Sequence, residues 1–461
     1  MPIIKAYTLP HPPLAIPAIG RGQESGISKT VAAFEEVAAD IAAIKPETIV
    51  YITPHSTMYA DHFHISPGNE ATGDFARFGV SSVKLQTPYD KALAEQITRI
   101  AFNHGISAGT EGEKDAALDH GVMVPMWYIN KHYTDYKSLR ISQSGMSSAE
   151  HYILGQIILK AAEALDRKVV VIGSSDLSHR LKSDGPYGYA PEGEEFDNAV
   201  TEALSKGDFM ALMNIPEKIR DGAGECGYNS LMVLAGLFDR KRVIARLLSY
   251  EAPYGVGYAV AEFTATGSDD SNNVLEKHLD LMTEESKNAQ NAEDDYQKLA
   301  RGSLEHYIKT STRLRIPKGL PQEMYSQRAG VFVSLHKRGR LRGCIGTIAP
   351  TTESIAEEII QNAISAGVSD NRFPNVTADE LQYITYKVDV LSPSEKIQSP
   401  AELDVKRYGV IVTSGMKRGL LLPNLDGVDT VEAQIEIARQ KAGISENEKI
   451  QLERFEVIRH E

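Results

Sequence analysis

Three apolar runs in this chain end on a histidine. Ile3 to Pro10 runs into His11, Glu47 to Thr53 runs into His55, and Val169 to Ile172 runs through Gly173-Ser174-Ser175 into Asp176, Ser178 and His179. A fourth, His120, follows Asp119 directly before the apolar run GVMVPMWYI, and Glu225 and Cys226 share a glycine-rich turn, GAGECGY. A single histidine after a strand is an ordinary hydrogen-bonded loop residue. Three in the same position, with carboxylates and a thiol nearby, point to a metal or acid/base site. Imidazole changes charge near neutrality and serves both as a ligand and as a proton relay. Two histidines and a carboxylate on one face leave coordination positions open, the pattern of non-haem Fe(II) oxygenases. Glu225 can deliver that carboxylate, or face the start of the helix that follows it. A Cys226 thiolate would make the site softer. The candidate set is therefore His11, His55, His120, His179, Asp176 and Glu225, with Cys226 as the alternative third ligand. His62 and His64 sit two apart and read as surface strand histidines, and His104, His132 and His151 read as solvated.

Only a fold can bring residues this far apart together. In open α/β sheets the ligand crevice lies outside the carboxyl ends of the strands, and residues 1–267 read as such a domain. Ser28–Pro46 is an amphipathic helix that Ser28 can cap, and helices are expected at 90–104, 148–165 and 194–206. Val169 begins a buried strand, and Tyr254–Gly267 alternates as a terminal one. Residues 268–295 hold nine Asp and Glu against two Lys and read as an acidic linker. Leu275, Leu279 and Met282 are spaced i, i+4, i+7, which predicts a helix over 273–283. The polar run after it predicts an exposed hinge over 284–294 that proteases cut first. Residues 296–461 mix helices with antiparallel strands, an α+β pattern. There, GVFVSLHKRGRLRGCIGTI reads as a hairpin with a basic-Gly turn.

The formal net charge of -13 excludes a general nucleic-acid binder, which needs clustered Lys and Arg. Two cysteines, Cys226 and Cys344, exclude a disulfide framework and a cysteine-only zinc site. No run of membrane-spanning length and no signal-peptide pattern is evident, so the chain reads as cytoplasmic with no membrane partner. Its oligomeric state is open.

Taken in order, LPHPP, TPHS, DHGVMVP, SSDLSH and GECGYNS resemble the motifs of class III extradiol ring-cleavage dioxygenases of the protocatechuate 4,5-dioxygenase β-subunit type, and of the related Memo proteins. The resemblance covers about the first 265 residues. It implies a mixed sheet flanked by helices, with His11 and His55 as metal ligands. Glu225 is the third ligand in the dioxygenase reading, and Cys226 in the Memo-like one. It implies His179 as acid/base, His120 as a second pocket histidine, and Asp176 as part of the Memo-type motif. The expected partners are a small catechol-like aromatic substrate and O2. The expected metal is Fe(II), with zinc and copper as alternatives. A Memo-like metal-binding or adaptor role without ring cleavage is the rival. LRGCIGT, Leu341–Thr347, with SDNRFP, Ser369–Pro374, resembles the AMMECR domain, an α+β unit without an established activity. Domains resembling both halves occur with a radical-SAM protein, which implies a shared pathway. Cys344 reads as a partly buried thiol at a tight turn. To be reactive it would need a cation such as Arg340 or Arg342 beside it.

Overall fold

The computed structural model describes residues 3–337, 340–425 and 427–461. The chain forms two compact units, 1–278 and 279–461. The first is built on a six-stranded mixed sheet. Its strands are β1 (Ile3–Leu9), β2 (Thr48–Thr53), β3 (Lys137–Ser142), β4 (Val169–Ser174), β5 (Lys241–Glu251) and β6 (Tyr258–Ser268), in the order β3-β2-β4-β1-β6-β5. The first four in that order are parallel, and β6 and β5 add antiparallel strands on one side. Every residue of β2 and β4 is buried, as expected of parallel strands covered on both faces. Alternate residues feed two cores. Val50, Ile52 and Val171 face one, and Ile49, Tyr51 and Ile172 face the other.

Up to residue 292, the helices of ten residues or more are α1 (Ser28–Ile44), α2 (Lys91–Asn103), α3 (His120–Ile129), α4 (Ser148–Ala164), α5 (Pro191–Lys206), α6 (Tyr228–Leu237) and α7 (Val274–Ala292). Asp90 caps α2, and Ser147 and Glu150 form a capping box on α4. Ser28 opens α1 without capping it. Instead, the Glu251 carboxylate accepts from the Thr30 N–H at 2.8 Å. α4 and α6 cross at Gly155 and Gly236, where an added Cβ on either would run into the partner backbone. That contact seats α6, whose preceding turn carries Glu225 and Cys226.

Most of the stretch 284–294, expected as an exposed hinge, is helical, because α7 continues to Ala292. The stretch holds no Gly or Pro, and its Glu, Lys, Ala and Gln residues favour a helix as readily as a solvated coil. Val274 and Leu275 pack into the first unit's core. His64 and His151 are buried rather than exposed. His151 Nδ1 lies 2.9 Å from the Ser147 carbonyl, and Nε2 accepts from the Ser144 N–H at 3.3 Å. His104 and His132 are exposed, as the sequence reads.

In the second unit, α8 (Asp295–Thr310) and α9 (Ile355–Val368) cover one face of a four-stranded antiparallel sheet. Its strands are β7 (Val331–Lys337), β8 (Arg340–Gly346), β9 (Ile384–Leu391) and β14 (Val457–His460). A second sheet joins β10 (Glu395–Ile397), β11 (Gly409–Ser414), β12 (Lys417–Leu421) and β13 (Gln451–Phe455), with α10 (Val431–Lys441) packed on it. The C-terminal stretch thus forms two strands, one in each sheet. The hairpin turn at 338–339 lies outside the described residues.

Candidate metal centre

Leu9, the last residue of β1, pairs with Ser174, the last residue of β4, and β2 runs beside β4 on its other edge. The three chains leave the sheet at one level. His11, His55 and Asp176 each stand two residues past their strand, so equal spacing in sequence becomes convergence in space. His11 and His55 face each other with 2.9 Å between their Nε2 atoms. Cys226 Sγ lies 3.6 Å from His11 Nε2, and the three donor atoms all lie within 4.8 Å of one another.

A serine fixes the tautomer of His11. The Ser174 hydroxyl has one proton and gives it to the Gly121 carbonyl at 2.6 Å, so it accepts from His11 Nδ1–H at 2.9 Å. Nδ1 keeps the proton and the Nε2 lone pair points at His55 and Cys226, the usual outer support of a metal-binding histidine. The spacings suit a single ion. Tetrahedral coordination at ordinary zinc bond lengths separates two nitrogens by about 3.3 Å, and a nitrogen and a sulfur by about 3.6 Å. Burial pushes the His11 imidazole well down, with His55, His120 and His179 adding to it. Burial also lowers His55, against the pull of Asp119. Both rings are held neutral, the form that ligates. Burial pushes the Cys226 thiol well up, with the Asp176 and Glu225 carboxyls adding to it. A thiolate here needs a cation beside it, so metal binding and deprotonation are coupled.

Cys226 is delivered by its neighbour. A side chain on Gly227 would run into Ser175 and Asp176, so only glycine lets the turn close on the β4 loop. Gln143 Nε2 ties the turn down by donating to the Cys226 carbonyl at 2.9 Å. Among the described residues the donor atoms that meet are those of His11, His55 and Cys226, the alternative third ligand, and Glu225 is not among them. Its carboxylate folds over the first turn of α6 and accepts from the Tyr228 N–H at 2.6 Å, because the opening N–H groups of a helix lack partners within it. Burial raises its pKa to about 7, although the Tyr228 N–H favours the charged form. The carboxylate nearest the donors is Asp176. Its Oδ1 accepts from the His11 N–H at 2.7 Å, and its Oδ2 lies 3.7 Å from His11 Nε2. Burial raises Asp176 to about 7 as well, opposed by the His11 N–H.

His120 opens α3, which Asp119 caps, and Thr53 Oγ1 donates to Asp119 at 2.7 Å. Its ring stacks on His55 with centroids 4.1 Å apart. Burial, aided by His55 and Arg77, pushes it down to about 3. His179 is pinned through its N–H to the Ala223 carbonyl at 3.1 Å, and its ring lies against Tyr187. Its Nε2 is buried and unpartnered among the described residues, and burial and His55 lower its pKa. A cavity of about 740 Å³ opens beside the centre, walled by His55, His120, Phe78, Arg77 and Lys84. The last three come from a hairpin over 70–88 that sequence reading passed over. The alternation VSSVKLQT was its signal, and its mostly polar face hid it.

Residues 5–261 match a family described as the catalytic LigB subunit of aromatic ring-opening dioxygenase, and residues 297–460 match the AMMECR1 family. A protein of Clostridium acetobutylicum is 43% identical over 98% of each chain. One of Thermotoga maritima is 48% identical over 36% of this chain and 98% of its own. Among solved structures, an uncharacterized protein of Pyrococcus horikoshii shares 32% identity over 36% of this chain and 88% of that one, with a TM-score of 0.33. An uncharacterized protein of Escherichia coli K12 shares 13% identity over 56% and 99%, with a TM-score of 0.40.

Proposed function

We propose, for a chain that belongs to the LigB family of aromatic ring-opening dioxygenase subunits and carries an AMMECR1 domain after it, the function of a metal-dependent oxidoreductase acting on a small phenolic substrate. The observation that carries the reading is the meeting of His11, His55 and Cys226 beside a cavity sized for such a molecule. A redox-active metal bound there would supply electron transfer between the substrate and O2 and would acidify a phenolic hydroxyl. The chain's own residues supply the rest. Ser174 and Asp176 hold His11 in its ligating pose. His120, neutral and on the cavity wall, donates a hydrogen bond to a substrate oxygen. His179, with a buried and unpartnered Nε2, takes and returns the proton. Arg77 and Lys84 favour a substrate with an anionic substituent.

Cys226 favours a second reading. Ring cleavage of the extradiol type uses Fe(II) on two histidines and a carboxylate, whereas a thiolate donor suits zinc or copper. In that case the first unit is a Memo-like metal-binding protein without ring cleavage. Loading the protein anaerobically with Fe(II), Cu(I) or Zn(II), then following O2 uptake with a panel of catechols, separates the two. O2 uptake matched by loss of the phenol supports the oxidoreductase. One bound metal per chain with no uptake for any pairing supports the second reading. Failure to bind any of the three metals defeats both.

A further inference from the structure

The second unit has a cleft of its own, and strand alternation explains its chemistry. On β7, Val331, Val333 and Leu335 point to the helix-covered core. Phe332, Ser334 and His336 therefore point to the other face. The register sets Ser334 opposite Cys344 on β8 and Lys387 on β9, and Asp389 opposite Arg459 on β14. This face, with Leu420 of β12 and Leu422 just after it, lines a cleft of about 650 Å³, within the range of small-molecule sites.

The cleft holds reactive groups and unbalanced charge. The Ser334 hydroxyl donates to Cys344 Sγ at 3.1 Å, and His336 Nδ1 is buried and unpartnered among the described residues. Four cations, Lys387, Arg418, Lys441 and Arg459, face two carboxylates, Asp389 and Glu461. Lys387 pairs with Glu461, and Arg459 with Asp389. Arg418 pairs with Glu453, which is not on the wall, and Lys441 makes no ion pair among the described residues. A positive cleft in a chain of net charge -13 is a local reversal. The second sequence motif braces the Cys344 backbone. Asp370 accepts from the Cys344 N–H at 2.9 Å, and Arg372 donates to the Cys344 carbonyl at 3.2 Å while bridging to Asp370. Gly343 and Gly346 are needed because a side chain on either would run into Ala366 or Phe332.

We propose that this cleft is a binding site for a small organic anion, with the charged end among Arg418 and Lys441, the body against Leu420 and Phe332, and the Cys344 thiol facing the bound molecule. Every residue that lines it belongs to the second unit.

Iodoacetate and iodoacetamide test this on the full chain, because they differ in charge and little in size. Peptide mass spectrometry reads Cys344 separately from Cys226. The rate ratio of iodoacetate to iodoacetamide at Cys344 should exceed that of free N-acetylcysteine in the same buffer by about tenfold, the low end of electrostatic focusing in a charged cleft. The iodoacetate rate should level off with concentration while the iodoacetamide rate stays linear, and succinate or inorganic phosphate should slow only the former. In the Arg418→Gln, Lys441→Gln double variant the ratio should fall to that of N-acetylcysteine. Its unchanged iodoacetamide rate would show the fold intact. A wild-type ratio equal to that of N-acetylcysteine, an iodoacetate rate linear throughout, or a ratio unaffected by the double substitution overturns the proposal. So does a Cys344 that neither reagent modifies, since the thiol would then not face the cleft.

Discussion

Ser174 does two jobs with one hydroxyl, and both bear on the metal centre. It receives the His11 Nδ1 proton and passes its own to Gly121, the residue after His120. Ser174→Ala should lower metal affinity by about 10–100-fold, the usual scale for an outer-support residue, as read by competition with a metal-binding dye. His179 belongs to the proton rather than to the metal. His179→Ala should keep the bound metal and lower turnover by roughly 10²–10⁴-fold, and equal turnover in wild type and variant would rule the role out. The convergence of His11 and His55 was legible in the sequence because each follows a largely apolar strand by a fixed two positions. The choice between Glu225 and Cys226 was not legible. The two are adjacent, and which one faces inward depends on how Gly227 packs on a loop about fifty residues away in sequence.

Elements carry the next level of control. Gly227→Ala should cost about 1–3 kcal/mol from overpacking and should also strip the metal, since the turn can no longer close on Ser175. Thermal melts with metal analysis check both parts. In the second unit, burial pushes the Glu380 carboxyl up, but the ion pairs with Arg342 and Lys337 outweigh burial and hold it down at about 2. Arg342 is therefore committed to Glu380 and is not the activator of Cys344 that the motif suggested. The Arg340 side chain lies outside the described residues. A carboxyl with a lowered folded pKa adds stability above its unfolded pKa and loses it as pH falls. Glu380→Gln should thus destabilise the protein by about 2–3 kcal/mol at neutral pH. The gap to wild type should close between pH 4.5 and about 2, which denaturant melts across that range would show. Strong periodicity made α1, α4 and the buried strands readable. β5 and the 70–88 hairpin were missed because only one face of each is apolar, and α7 was cut short because a charged helix face and a charged linker have the same composition.

At the scale of the whole molecule, each unit has its own cores, and His11, His55 and Cys226 all lie in the first. A chain ending at residue 292 should therefore bind as much metal per molecule as the full protein, and a loss of metal would mean that the second unit completes the site. No helix among the described residues is long and apolar enough to cross a membrane. The two thiols lie in different units, Cys226 beside His11 and His55 and Cys344 on the wall of the second unit's cleft. The most direct test of the centre is metal stoichiometry, measured by mass spectrometry on wild type, Cys226→Ser and Glu225→Gln after loading and desalting. About one metal per chain is expected in wild type and Glu225→Gln, and little or none in Cys226→Ser. Metal retained by Cys226→Ser and lost from Glu225→Gln would contradict it.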